Sequence, residues 1–290
     1  PKVTADGIAL HTLGYGRTSA ANGRVFSNVF NYPANYWTAA SVAVNYLLGE
    51  NGGSLEGKKV TLVYHNSAYG KEPIRTLELL SKKHGFEFSA IPVDHPGQEQ
   101  KSQWLQIRRE RPDFILMWGW GVMNSVAIQE ASNIRFPMEN FIGVWWSGSE
   151  NDVVPAGMAA NGYKSLAMHA PGSDYGIYDQ LKQHIYDKGK SAGAGDQIGS
   201  VLYNRALYIA FLTHMAIEKA QEITGVADIS QADMIKGMEA LNITDELMAE
   251  HGLAGFAPSF SVSCENHGGG GLGAVRQSEA TAKTWTLTSA

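Results

Sequence analysis

Residues 58–93 read KKVTLVYHNSAYGKEPIRTLELLSKKHGFEFSAIPV, and this stretch decides the fold. KKVTLVYH is an apolar run of strand length. EPIRTLELLSKKHG puts Ile74, Leu77 and Leu80 on one helical face and stops at Gly85, a residue that readily takes the left-handed conformation at a helix end. FEFSAIPV is a second strand. Strand, helix and strand in that order make a right-handed βαβ unit, whose two strands lie parallel.

The same rhythm continues downstream. QEQKSQWLQIRRERP predicts a helix with Trp104 and Ile107 inward, ended before Pro112. DFILMW is a strand, VMNSVAIQEASN a helix, NFIGVWW a strand, and GYKSLAMHA one more. The fold class is therefore α/β, with a parallel sheet flanked by helices. After HAPGSDYG the rhythm changes. IYDQLKQHIYDKG, VLYNRALYIAFLTHMAIEKAQ and QADMIKGMEAL are three helical stretches with no strand between them. The second is the longest, with Leu202, Ala206, Ile209, Thr213 and Ala216 expected along its inward stripe. Outside the first block, GIALHTL near the N-terminus is the one nearby strand candidate. One strand is not a sheet, so this second layer is expected to be incomplete, with further strands preceding residue 1. FSVSCENHGGGGLGAV and TAKTWTLTS predict short antiparallel strands around a glycine-rich loop.

Composition narrows the function. The chain has 290 residues, enough for two domains, and its 44% hydrophobic and 18% charged content is that of a globular protein. No apolar run approaches the ~20 residues that span a bilayer. A net charge of −5 without a basic stripe argues against nucleic acid as a partner. Cys264 stands alone, which excludes an internal disulfide and any paired-cysteine metal site. The opening PKVTADGIALHT has no secretory signal pattern. Either the chain is cytoplasmic or a signal was removed before this numbering begins.

Ligands of open parallel sheets sit beyond the carboxyl ends of the strands. The residues at and just beyond those ends include Tyr15, Arg17, Thr18, Tyr69, Trp118, Trp120, Trp145, Trp146 and Ser147. This is an aromatic wall with a few polar anchors, the composition of a small-molecule site. Core packing is the competing reading for the tryptophans. Arg17 reads equally as an exposed loop residue, Tyr69 as a staple for the following helix, and His65 as a structural histidine. As neighbours on a strand, Trp145 and Trp146 would point to opposite faces. Catalytic signatures are absent from the sequence: it has no GxSxG elbow, P-loop or HExxH. Cys264, Glu265 and His267 do not have the spacing of a metal site. The expectation is no enzyme activity, no cofactor and no metal.

Four segments carry a resemblance: GRVFSNVFNYPANYW, the 58–88 stretch, HPGQEQKSQWLQIRRERPDFILMWGWGVMN and FIGVWWSGSENDVVPAGMAANGYKSL. Their order, across roughly residues 5–270, resembles the periplasmic solute-binding proteins of branched-chain amino acid type ABC importers. The resemblance implies the type I periplasmic binding protein fold, two lobes that close on a ligand. Crossovers would fall near Asn31–Pro33, His169–Gly172 and residues 256–264. Lobe one would be 1–33 and 170–256, and lobe two 34–169 and 257–290. Family members carry a further N-terminal βαβαβα stretch of about a hundred residues that forms most of the lobe-one sheet. On this resemblance the chain is missing that stretch, and a partner for Cys264 could lie in it.

The resemblance also implies roles at the site. Tyr15, Gly16, Arg17 and Thr18 match the family segment that holds a ligand carboxylate, RPDFILMWGWG resembles the strand leading to the ligand wall, and the strand-end reading adds Tyr69, Trp118, Trp120, Trp145 and Ser147 as candidate ligand residues. Where amino-acid binders place an acidic residue for the ammonium, this sequence has Val144-Trp145-Trp146-Ser147, with Glu150 nearby. That favours an aromatic acid over a branched-chain or other amino acid. The implied partners are a small-molecule carboxylate and a membrane permease, for a periplasmic monomer. A ligand-sensing regulatory protein of the same fold and an α/β enzyme are the alternatives.

Overall fold

The computed structural model describes residues 2–193, 195–269, 274–278 and 285–289. It divides into two compact units, Pro1–Tyr36 with Met168–Leu272, and Trp37–Ala167 with Gly273–Ala290. In chain order, unit 1 contributes β1 (Leu10–His11) and β2 (Val29–Phe30). Unit 2 follows with β3 (Lys59–His65), β4 (Glu87–Val93), β5 (Phe114–Trp118), β6 (Phe141–Gly143) and β7 (Lys164–Ala167). Unit 1 then adds β8 (Asn242–Ile243) and β9 (Phe260–Ser261), and unit 2 ends with β10 (Ala274–Ser278) and β11 (Trp285–Ser289).

Unit 2 is one seven-stranded sheet in the order β11-β10-β7-β6-β5-β3-β4. Strands β3 to β7 are parallel, while β10 runs antiparallel to both β7 and β11. All five residues of β5 are buried, as in a parallel strand covered on both faces. Helix Ile74–His84 buries Leu77 and ends on Gly85 at φ 72°. Helix Lys101–Glu110 buries Trp104 and Ile107 and ends at Arg111. The buried Gln100 side chain accepts from the Trp104 indole at 3.1 Å and donates to the carbonyls of Gly97 (2.6 Å) and Met123 (2.9 Å). Its polar atoms are therefore satisfied in the core.

The predicted strand NFIGVWW is shorter than expected. Pairing ends at Gly143, and Trp145–Ser147 forms a 3-10 turn. A Cβ on Gly143 would lie 1.9 Å from the Tyr163 hydroxyl, so only glycine fits beneath that ring. Val144 N donates to Met117 O at 2.9 Å, the last rung before the turn. Trp145 and Trp146 therefore do not alternate across a sheet. GIALHTL likewise contracts to the two residues of β1, parallel to β2.

Unit 1 sets the β1–β2 pair and the antiparallel β8–β9 pair beside helices Gly176–Leu181, Val201–Thr224, Gln231–Glu239 and Asp245–Glu250. The inward stripe of the long helix differs from the expected one. Leu202 is exposed, and the buried face runs through Val201, Asn204, Arg205, Tyr208, Phe211, Leu212, Met215 and Ala216. Asn204 can be interior because Tyr178 donates to its Oδ1 and its Nδ2 donates to the carbonyls of Ala170 (3.2 Å) and Gly172 (2.9 Å). The third boundary between the units also differs, lying after residue 272 instead of near 256. Residues 257–269 stay in unit 1 because Val262 N donates to Leu241 O at 2.9 Å and His267 N to Ala21 O at 2.7 Å. The His267 ring also stacks on Phe30 at 4.0 Å.

Candidate ligand-binding site

In unit 2 the carboxyl ends of β3, β5 and β6 carry the predicted residues. Ser67 accepts from Gly70 N and caps the one-turn helix Ala68–Lys71, which presents Tyr69. A Cβ on Gly70 would lie 1.9 Å from His65 O, so this turn packs against the end of β3. Tyr69 does more than staple its helix: its hydroxyl donates to Gly119 O at 3.0 Å, just past the end of β5. Ser147 meets the same residue. Its Oγ accepts from Gly119 N and donates to Gly119 O, both at 3.3 Å. The backbone of Ser147 is held in turn, its carbonyl accepting from the Tyr163 hydroxyl at 2.8 Å.

The four tryptophans separate into two classes. Trp118 and Trp145 are 0% and 1% exposed and belong to the core. Trp120 is 42% exposed, and Trp146 is half-buried. Trp120 makes edge-to-face contacts with Tyr69 (6.5 Å between centroids, 71°) and Trp146 (5.5 Å, 66°). Tyr69, Trp120 and Trp146 thus form a three-ring wall. Trp118 and Trp145 were expected to join it; their burial makes them its support. Ser147, 0% exposed, is likewise a backbone clamp behind the wall.

Trp146 stands among the strand-end residues but outside the site that the resemblance implies, and sequence reasoning does not single out Asn124 at all. Asn124 is fully buried in the first turn of helix Val122–Asn133. Its Nδ2 donates to Trp146 O (2.9 Å) and to Asp152 Oδ1 (2.7 Å). The other Asp152 oxygen accepts from Ser149 N (2.9 Å) and Ser149 Oγ (2.6 Å), closing a capping box on helix Glu150–Val153. A helix N-terminus directly after a strand-end WGWG is the signal that could have pointed to Asn124.

In unit 1, Tyr15, Gly16 and Arg17 are exposed, Gly16 at φ 86°. Arg17 makes no ion pair among the described residues. Thr18 is buried and begins the 3-10 turn Thr18–Ala21; its hydroxyl accepts from Tyr36 N at 3.2 Å.

The remaining candidates do not form a reactive centre. His65 Nε2 lies 3.5 Å from His95 Nδ1, and burial followed by the neighbouring His95 lowers its pKa. Cys264 is an exposed free thiol whose pKa is raised, first by the Glu239 carboxylate. That is the reverse of nucleophile activation. Among the described residues no three His, Cys, Asp or Glu side chains group as metal ligands, and no helix is long and apolar enough to cross a membrane.

A periplasmic binding protein family model matches residues 2–267. The chain belongs to that family. This binding protein is also 40% identical to a crystal structure described as an ABC transporter permease from the Pseudomonas fluorescens group. That match covers all of this chain and 70% of the other, with a TM-score of 0.94. Two distant structures share the fold. A branched-chain amino acid ABC transporter protein from Thermus thermophilus with bound valine is 15% identical, covering 100% of this chain and 73% of that one, TM-score 0.77. An ABC transporter solute-binding protein from R. palustris in complex with benzoate is 16% identical, covering 99% and 72%, TM-score 0.72. No curated protein matches the chain. The fold is the type I periplasmic binding protein fold, α/β with a parallel central sheet. The binding protein is the substrate-binding component of an ABC transporter, an extracytoplasmic part that takes a small molecule to a permease, and its homologues are not enzymes.

Proposed function

We propose that this binding protein captures a small aromatic carboxylate in the periplasm, as a monomer, and delivers it chemically unchanged to its permease. The carrying observation is the Tyr69–Trp120–Trp146 wall, with the Trp120 ring 42% exposed. Aromatic pairs contribute about 0.5–1.5 kcal/mol beyond area burial, so a flat ring gains more on this wall than an aliphatic side chain. The strand-end sequence supports the same choice. Where the resemblance places an acidic residue for an ammonium, this chain has Trp145-Trp146, and an ammonium buried without a counter-charge costs several kcal/mol. Within unit 1, the guanidinium fork of Arg17 has the geometry that suits a carboxylate.

Tryptophan fluorescence titration with benzoate and with leucine, followed by mass spectrometry of the recovered ligand, tests this reading. Benzoate should bind more tightly than leucine and return unaltered. Tight leucine binding with no response to benzoate would make the protein an amino-acid carrier. A chemically changed ligand would make it an enzyme.

A further inference from the structure

We propose that Tyr69 and Asn124 are positioning residues that fix the Trp120–Trp146 ring pair in place before a ligand arrives; this rests on reading those rings as the ligand's seat. Trp120 stands between two glycines, on a backbone with little intrinsic stiffness. Freezing such a ring only on binding would cost affinity, and an interaction that fixes it beforehand removes that cost. The hydrogen bonds at both ends of the pair do so. The carbonyl of Gly119 belongs to the peptide that leads into Trp120, and it accepts from the Tyr69 hydroxyl at 3.0 Å. The carbonyl of Trp146 accepts from Asn124 Nδ2 at 2.9 Å.

Asn124 is the common member. Both hydrogens of its amide go to acceptors, Trp146 O and Asp152 Oδ1, which settles the orientation of that amide. Its Oδ1 therefore points toward Gly119, close enough that a Cβ there would lie 2.1 Å away. One buried side chain thus touches the residue before Trp120 and bonds the residue that carries the second ring. Neither the Tyr69 hydroxyl nor the Asn124 amide needs to touch the ligand.

The variants Tyr69→Phe, Asn124→Ala and Trp146→Phe separate this role from plain stability. Tyr69→Phe keeps the ring against Trp120 and removes only the hydroxyl. The readouts are the far-ultraviolet circular dichroism couplet of the coupled indole pair, the benzoate dissociation constant and the thermal midpoint. Trp146→Phe should abolish the couplet and serves as its reference. Tyr69→Phe and Asn124→Ala should each shrink the couplet and weaken benzoate about three- to tenfold, the worth of one hydrogen bond. Tyr69→Phe should do so with the midpoint lowered by no more than a few degrees. Should Asn124→Ala fail to fold, Tyr69→Phe decides alone. Variants that bind benzoate with unchanged affinity and an unchanged couplet overturn the positioning role and leave the ligand reading standing. A wild-type protein that ignores benzoate while Tyr69→Phe still loses the couplet overturns the ligand reading and keeps the positioning of the rings.

Discussion

Trp118 and Trp120 are two residues apart, yet the first is 0% exposed and the second 42%. Trp118 is the last residue of β5, paired with Tyr64 of β3. Trp120 lies past the ladder, where the backbone has already left the sheet. The strand end is thus the point at which one sequence motif changes from core to surface.

Trp120→Ala should therefore cost little stability and much affinity. Loss of the exposed ring is expected to weaken benzoate at least tenfold, about 1.4 kcal/mol, in a fluorescence or calorimetric titration. A variant that binds normally would return the ring to a structural role.

Trp118 should behave in the opposite way. Trp118→Ala is expected to cost about 3–5 kcal/mol of stability. Trp118→Phe should be milder, because the indole Nε1 makes no hydrogen bond among the described residues that would be lost. Benzoate affinity should hold in Trp118→Phe. A tenfold loss there, with an unchanged urea midpoint, would place Trp118 in the wall.

The two glycines of the same motif should fail for different reasons. A Cβ at 119 would lie 2.1 Å from Asn124 Oδ1, whereas Gly121 has open space but sits at φ 59°, ψ −138°. Gly119→Ala is expected to lose about 1–3 kcal/mol through overpacking, and Gly121→Ala a similar ~1–3 kcal/mol through backbone strain. A double-mutant cycle with Asn124→Ala tells them apart. The cost at 119 should fall when Asn124 is shortened, and the cost at 121 should not.

Acid should loosen unit 1 through His11. Burial lowers its pKa from 6.5 to about 4, against a smaller opposing effect of the Tyr32 carbonyl. The folded state keeps this ring neutral while the unfolded chain takes up a proton first. The contribution is therefore fully present above pH 6.5 and is lost as the pH falls toward 4. It amounts to at most about 3 kcal/mol. Urea midpoints measured across that range should drop for the wild type and drop less for His11→Gln. Equal slopes would remove His11 as the cause.

What the sequence made legible was local. Gly85 as a helix stop, Trp104 and Ile107 as an inward pair, and the buried run of β5 each depend on neighbours within a few positions. The misread features depend on distant partners. The stripe expected through Leu202 left out Asn204, whose acceptors lie 32 and 34 residues away. The partners of Asn124 are 22 and 28 residues away. The strand predicted through Trp146 ends at Gly143, where the Tyr163 hydroxyl fills the space a side chain would need and donates to Ser147 O. Periodicity cannot register a hydrogen bond or a steric stop imposed from another segment.

The antiparallel pairing of β10 with β7 also sets a loop to be closed in folding. The partner for the open side of β7 is encoded about a hundred residues later, after the unit 1 segment 168–272. The entropy of that loop has to be lost before the contact forms. Until it forms, the sheet carries a free edge at β7, the kind that pairs with other chains.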